Sequence, residues 1–160
     1  MIFVTTGTQE PFDRLLEIVN EYSLQTSEKI VIQAKTKKMF NSNVEVHEFL
    51  APEKFSHFFD SARLIVSHAG MGTIISALQK GKAIIVFPRI ASLGEHRNEH
   101  QLATAKKIKQ QNLVEVAFAE AELLEYLNQF DTNKGTLPSN QIGEYASVGL
   151  IESLNQFVTD

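Results

Sequence analysis

Apolar positions along this chain fall into short continuous runs that alternate with stripes at helical spacing, from the first residues to the last. Ile2-Phe3-Val4 is a β-branched and aromatic run that stops at Thr5-Thr6-Gly7-Thr8. Pro11-Phe12 and the series Phe12, Leu15, Leu16, Val19 then predict a helix of about four turns. Lys29 to Ala34 reads as a buried strand, Lys35 to Ser42 as a polar connector, and Val44 to Phe49 alternates strictly enough for a half-exposed strand. Pro52 opens a helix whose Phe55, Phe58 and Phe59 share one face, a face expected to enter the core.

The same alternation continues through the middle and the end. Arg63 to Ser67 and Ala83 to Phe87 read as buried strands, and Ile74, Ile75 and Leu78 place a helix between them against the sheet. A helix is expected from about Arg97 to Gln111, a strand over Leu113 to Val116 and a helix over Glu120 to Phe130. A loop over Asp131 to Asn140 and a closing helix from Ile142 to about Val158 complete the pattern. Strands alternating with helices across short connections imply an α/β, Rossmann-like fold, a mostly parallel sheet with helices on both faces. There is no internal repeat and no linker, so the expectation is a single domain over residues 1–160.

The stretch from Ile65 to Gln101 concentrates the candidate chemistry. Ser67-His68-Ala69-Gly70-Met71-Gly72-Thr73 is a strand–glycine–helix turn, in which backbone N–H groups and the positive end of a helix face an incoming anion. After Pro88 the chain holds Arg89, Ser92, Glu95, His96, Arg97, Asn98, Glu99, His100 and Gln101. A polar loop at the carboxyl end of a buried parallel strand faces the crevice where open α/β sheets bind ligands, so the two loops are expected to converge on one site.

Composition narrows the classes. A net charge of −4 leaves no electrostatic footprint for general nucleic-acid binding. Cysteine is absent, which removes thiolate metal sites and a cysteine nucleophile and fits a reducing cytoplasm. No run approaches the roughly 20 apolar residues of a spanning helix, and the opening residues lack the pattern of a signal peptide.

Spacing excludes several chemistries. The position three residues after Gly72 is Ile75, so the dinucleotide fingerprint is incomplete, and Gly81-Lys82 has no glycine five residues earlier, so it is not a phosphate-binding P-loop. His96 and His100 lie four apart beside Glu95 and Glu99 but lack the His-Glu-x-x-His order, and no metal site is expected. Ser67 and His68 are consecutive on a strand end and point opposite ways, so they do not form a nucleophile–base pair with each other. His68 reads either as a hydrogen-bonded turn residue or as a contact to a nucleotide.

Ser67 to Thr73, the Gly81-Lys82-Ala83 turn, Pro88, and His100-Gln101 with Ala103 and Ala105 together resemble the nucleotide-binding half of GT-B glycosyltransferases, the glycosyltransferase family 28 C-terminal domain. Thr5-Thr6-Gly7-Thr8 resembles the Alg13-type opening. Met71 to Ile75, followed by Pro88-Arg89 and Ser92 to Asn98, is similar to the PssE-like or EpsF-like subunits of exopolysaccharide and capsule assembly.

The resemblance covers about residues 1 to 118 and implies a subunit that binds a UDP-sugar donor of galactose or N-acetylglucosamine type. A membrane-associated Alg14-like partner would hold the lipid-linked acceptor, keeping the chain cytoplasmic and peripheral at the inner face of the membrane. It implies nucleotide-sugar contacts from Thr6, Gly7, Thr8, His68, Gly70, Met71, Gly72, Thr73, Ser76, Pro88, His100 and Gln101, and no cofactor. Relatives commonly carry a glutamate that holds the ribose hydroxyls where this chain has Ser76, and one serine hydroxyl cannot clamp two hydroxyls. Glu95, His96, Glu99 and His100 are the candidate catalytic bases. Two other readings stand beside this one: a non-catalytic accessory subunit that activates a partner glycosyltransferase, and a nucleotide-binding module unrelated to sugar transfer.

Overall fold

The computed structural model describes residues 1–8 and 10–132. Within them, the strands β1 (Ile2–Thr5), β2 (Ile30–Gln33), β3 (Val44–His47), β4 (Leu64–Ser67), β5 (Ala83–Val86) and β6 (Glu115–Val116) form one sheet in the order β3-β2-β1-β4-β5-β6. Each neighbouring pair is parallel. The connecting helices are α1 (Asp13–Ser23), α2 (Pro52–Ser61), α3 (Met71–Gln79), α4 (His100–Gln110) and α5 (Glu120–Thr132).

The continuous apolar runs become strands buried on both faces, as a parallel sheet covered by helices requires. Their period of two divides the core. Ile2, Val4, Ile30, Ile32, Leu64, Val66 and Ile85 pack with Leu15, Leu16 and Val19 of α1 and Leu123 and Leu127 of α5. Phe3, Val31, Ile65, Ile84 and Val86 point the other way, onto Phe59 of α2, Ile74 and Leu78 of α3, and Ala105 and Ile108 of α4. Phe55, Phe58 and Phe59 surround the Phe3 ring with centroids 5.3, 6.2 and 6.4 Å away, so the aromatic face of α2 is core, as its spacing suggests. The alternating stretch Val44–His47 is the sheet edge, half-buried with Val46 exposed.

Several boundaries differ from the sequence reading. α4 starts at His100 and not near Arg97, because Ala91–Leu93 forms a 3-10 turn, Gly94 takes φ +73°, and the Asn98 Oδ1 accepts the His100 N–H at 3.1 Å. α1 is 11 residues long, nearer three turns than four. α5 continues through Asp131 to Thr132, and the remainder of the expected loop and the closing helix lie outside the described residues.

Strand order reverses between β1 and β4: from β1 the chain progresses outward to β2 and β3, and from β4 it progresses the opposite way. Open parallel sheets form their ligand crevice at that reversal, beyond the carboxyl ends of the strands. Thr5, Ser67 and Val86 end β1, β4 and β5 in register, which sets the three following loops side by side.

Candidate functional site

Three chain segments enclose a cleft of about 520 Å³ at this edge: Thr6 to Thr8 with Glu10 after β1, His68 after β4, and Arg89, Gly94 to Arg97 and Gln101 after β5. The first segment turns through Gly7, whose φ of +76° an L side chain adopts only under strain. Thr6 is buried at the root of this turn and Thr8 is exposed at its tip.

His68 joins the first and second segments. Its Nδ1 lies 3.4 Å from the Thr5 carbonyl, and its ring packs against both glycine turns: a Cβ at Gly7 would meet Cε1 at 3.1 Å, and one at Gly70 would meet Nε2 at 2.3 Å. Burial pushes the imidazole pKa down to about 4, against the pull of the Thr5 carbonyl and with a smaller contribution from the Arg89 charge. At neutral pH His68 is therefore an uncharged hydrogen-bonding group. Next to it α3 begins with Gly70 as N-cap and no side-chain cap, which leaves its first-turn N–H groups open to a ligand. Gly70, Met71, Gly72, Thr73 and Ser76 lie on this corner outside the cleft wall, because the His68 ring occupies the gap between Gly70 and Gly7.

The third segment is held by arginines. Arg89 is 2% exposed. Its Nη1 donates to the carbonyls of Pro11 at 2.6 Å and Glu95 at 3.1 Å, and its Nη2 to those of Thr6 at 2.8 Å and Glu10 at 2.7 Å. Its guanidinium also lies over the Phe12 ring, 4.6 Å from the centroid. Burial lowers its pKa somewhat, opposed by the carboxylates of Glu95 and Glu10. The Gln101 Oε1 accepts the Arg89 N–H at 3.2 Å, which ties the first turn of α4 to the same knot. Arg14, on α1, grips Glu95 through Nε at 2.7 Å and Nη2 at 2.9 Å and also donates to the Pro88 carbonyl. The second Glu95 oxygen further accepts the Ile90 N–H at 2.8 Å.

The candidate bases fall into distinct places. Glu95 lines the cleft with both oxygens engaged by Arg14, and Glu99 points away, its two oxygens each accepting at 3.3 Å from the Ala91 and Ser92 N–H groups. His100 is exposed at the start of α4, outside the wall. His96 is half-buried on the wall, its Nδ1 3.1 Å from the Asn98 carbonyl. Pro88 is buried behind the cleft, where its carbonyl serves Arg14. Among the described residues no group of three His, Asp or Glu side chains converges as metal ligands would, and no helix is long and apolar enough to cross a membrane.

Thr6, Gly7, Thr8, His68 and Gln101, expected from the sequence to share a site, line one cleft, whereas sequence reasoning gives no role to Arg89, Arg14 or Glu10. The signal for Arg89 was present: a charged residue directly after the buried run Ala83 to Pro88 requires a full set of acceptors. Arg14 carried no such signal, being one more polar residue in the first turn of an amphipathic helix.

The glycosyltransferase family 28 C-terminal domain matches residues 1–147. A Candida albicans (strain SC5314 / ATCC MYA-2876) protein, the UDP-N-acetylglucosamine transferase subunit ALG13, is 30% identical over 104 residues, which are 65% of this chain and 34% of that protein. This chain thus matches about a third of that relative's length. An NMR solution structure of ALG13 superposes with a TM-score of 0.60 at 21% identity, covering 96% of this chain and 93% of that one. The glycotransferase of kitacinnamycin gives 0.60 at 18% identity over 87% of this chain and 35% of its own. MurG of Acinetobacter baumannii gives 0.55 at 19% identity over 83% and 40%. These structural likenesses are likenesses of fold.

Proposed function

The chain belongs to the glycosyltransferase family 28 C-terminal domain family, and on that premise we propose that residues 1–160 act as one UDP-sugar-binding domain. Together with a membrane-associated, Alg14-like subunit it transfers a hexose of the galactose or N-acetylglucosamine type to a lipid-linked acceptor in exopolysaccharide or capsule synthesis, at the cytoplasmic face of the membrane. The observation that carries this reading is the cleft at the β1/β4 reversal, walled by the Gly7 turn and the Arg89 to Gln101 segment, with the uncapped start of α3 beside it.

In this reading the acceptor hydroxyl attacks the anomeric carbon, the bond from that carbon to the UDP oxygen breaks, and UDP leaves with the bonding pair. The charge that develops on UDP meets the amino end of α3 beside the cleft, at the N–H groups of Met71, Gly72 and Thr73. Thr6, Thr8, His68 and Gln101 orient the donor, and Ser76 offers the ribose one hydroxyl in place of a carboxylate. Of the four candidate bases His96 is favoured, since it faces the cleft while Glu95 and Glu99 are held by Arg14 and by backbone N–H groups.

Isothermal titration of the full chain, alone and with its partner subunit, tests the reading. Binding of UDP and of one UDP-sugar is expected, with a loss of about tenfold or more in Gly72→Val, where the new side chain shields the α3 amino terminus, and a smaller loss in His100→Ala. Absence of binding to any UDP-sugar, with the partner present, overturns it. Ser76 favours one second reading, an accessory subunit without a working donor site. Transfer by the complex that survives the cleft substitutions identifies that case.

A further inference from the structure

A diphosphate leaving group gains negative charge as the glycosidic bond breaks, so a donor cleft is helped by a cation that the fold has not already used. Few cationic groups line this cleft. Arg89 has both Nη atoms committed to backbone carbonyls of Thr6, Glu10, Pro11 and Glu95. Arg14 stands behind the wall and is engaged by Glu95 and by the Pro88 carbonyl. His68 is uncharged at neutral pH because it is buried. The wall also carries the Glu10 and Glu95 carboxylates, of which Glu95 is ion-paired with Arg14. Arg97 is different: it lines the cleft, is exposed, and forms no ion pair or hydrogen bond among the described residues.

Its mounting is also unlike that of a loose surface arginine. Two residues before it, Glu95 is fixed by Arg14, by the Ile90 N–H and, through its carbonyl, by Arg89. The next residue, Asn98, accepts the His100 N–H and so belongs to the start of α4. Gly94 with φ +73° turns the chain so that the segment between these anchors runs along the cleft. A short anchored span with an unused guanidinium at its middle loses little backbone freedom when an anion binds, which favours affinity.

We infer that Arg97 is the counter-charge for the diphosphate of the donor nucleotide, its planar fork receiving two phosphate oxygens. The inference rests on the donor-site reading above and adds the residue that recognises the charged part of the donor. A lysine there keeps the charge and loses the paired geometry; a glutamine loses the charge.

Titration of the full chain with UDP, UMP and uridine, in wild type, Arg97→Gln, Arg97→Lys and the distant control Lys106→Gln, tests it. Arg97→Gln is expected to weaken UDP binding by about 10- to 100-fold, the range of one charged hydrogen-bonding partner, while uridine binding changes less than about twofold. Arg97→Lys is expected to fall between, Lys106→Gln to match wild type, and the salt dependence of UDP binding to shrink in Arg97→Gln. Undiminished UDP binding by Arg97→Gln overturns the assignment and leaves the donor site standing, as does an equal loss for uridine and UDP. Failure of wild type to bind UDP overturns both. Arg97 is exposed, so unchanged melting temperatures show that the variants are folded.

Discussion

The Nη2 of Arg89 donates to the main-chain carbonyl of Thr6 at 2.8 Å, joining residues 83 positions apart. β4 lies between the strands that carry them, so the bond reaches across the ligand edge of the sheet from the loop after β5 to the loop after β1. The same guanidinium supplies the Glu10, Pro11 and Glu95 carbonyls, so one side chain shapes two of the three cleft segments.

Arg89→Met leaves four backbone carbonyls without this donor in a site that is largely closed to water. A loss of about 3 to 5 kcal/mol is expected, or roughly 10 °C in melting temperature for a chain of this size. Arg89→Lys keeps the charge but not the planar fork and should fall between. Thermal unfolding followed by circular dichroism decides the matter, and a Met variant melting within a degree or two of wild type would show that the clamp contributes little.

The two glycines of the β4–α3 corner should behave oppositely. A Cβ at Gly70 meets the His68 Nε2 at 2.3 Å, so Gly70→Ala is expected to destabilise by about 1 to 3 kcal/mol. Much of that cost should vanish in a His68→Ala background, giving a coupling energy in the double-mutant cycle. Gly72 is helical with open space around it, and Gly72→Ala should be neutral or stabilising by up to about 1 kcal/mol. Urea denaturation of the four variants measures all of these, and additivity between positions 68 and 70 would contradict the contact.

His68 predicts an acid-labile component of stability. Its folded pKa of about 4 lies below the ordinary 6.5, so between these values the unfolded chain takes up a proton that the folded chain refuses. Stability from this group is complete above about pH 6.5, falls as pH drops through the window, and is gone below about pH 4, a change of about 3 kcal/mol. His68→Gln should flatten that part of the pH dependence of the urea midpoint. An imidazole resonance of His68 titrating near 6.5 in the folded protein would refute it.

Much of this architecture follows from local spacing. Runs such as Ile2-Phe3-Val4 and Ile84-Ile85-Val86, with stripes such as Leu15, Leu16, Val19, declare strands and helices because periods of two and 3.6 are properties of neighbouring residues. Gly7 and the glycine corner were legible as turns for the same reason, and so was the exposed alternation of Val44 to His47.

Strand order, and everything that hangs on it, was decided in three dimensions. Placing β1 beside β4 sets the Gly7 turn against His68, whose burial leaves the imidazole uncharged and whose ring fills the space that a side chain at Gly70 needs. Along the chain Arg89 and Arg97 belong to one polar loop, and only the place of Arg89 directly after the buried run sets it apart. Folding buries the first among carbonyls of residues 6, 10, 11 and 95 and leaves the second open to the cleft. Hydrogen-bond partners so far apart in sequence leave no periodic trace in it, so residue type and spacing announced the elements while the division of labour between charged groups had to await the packing of the loops.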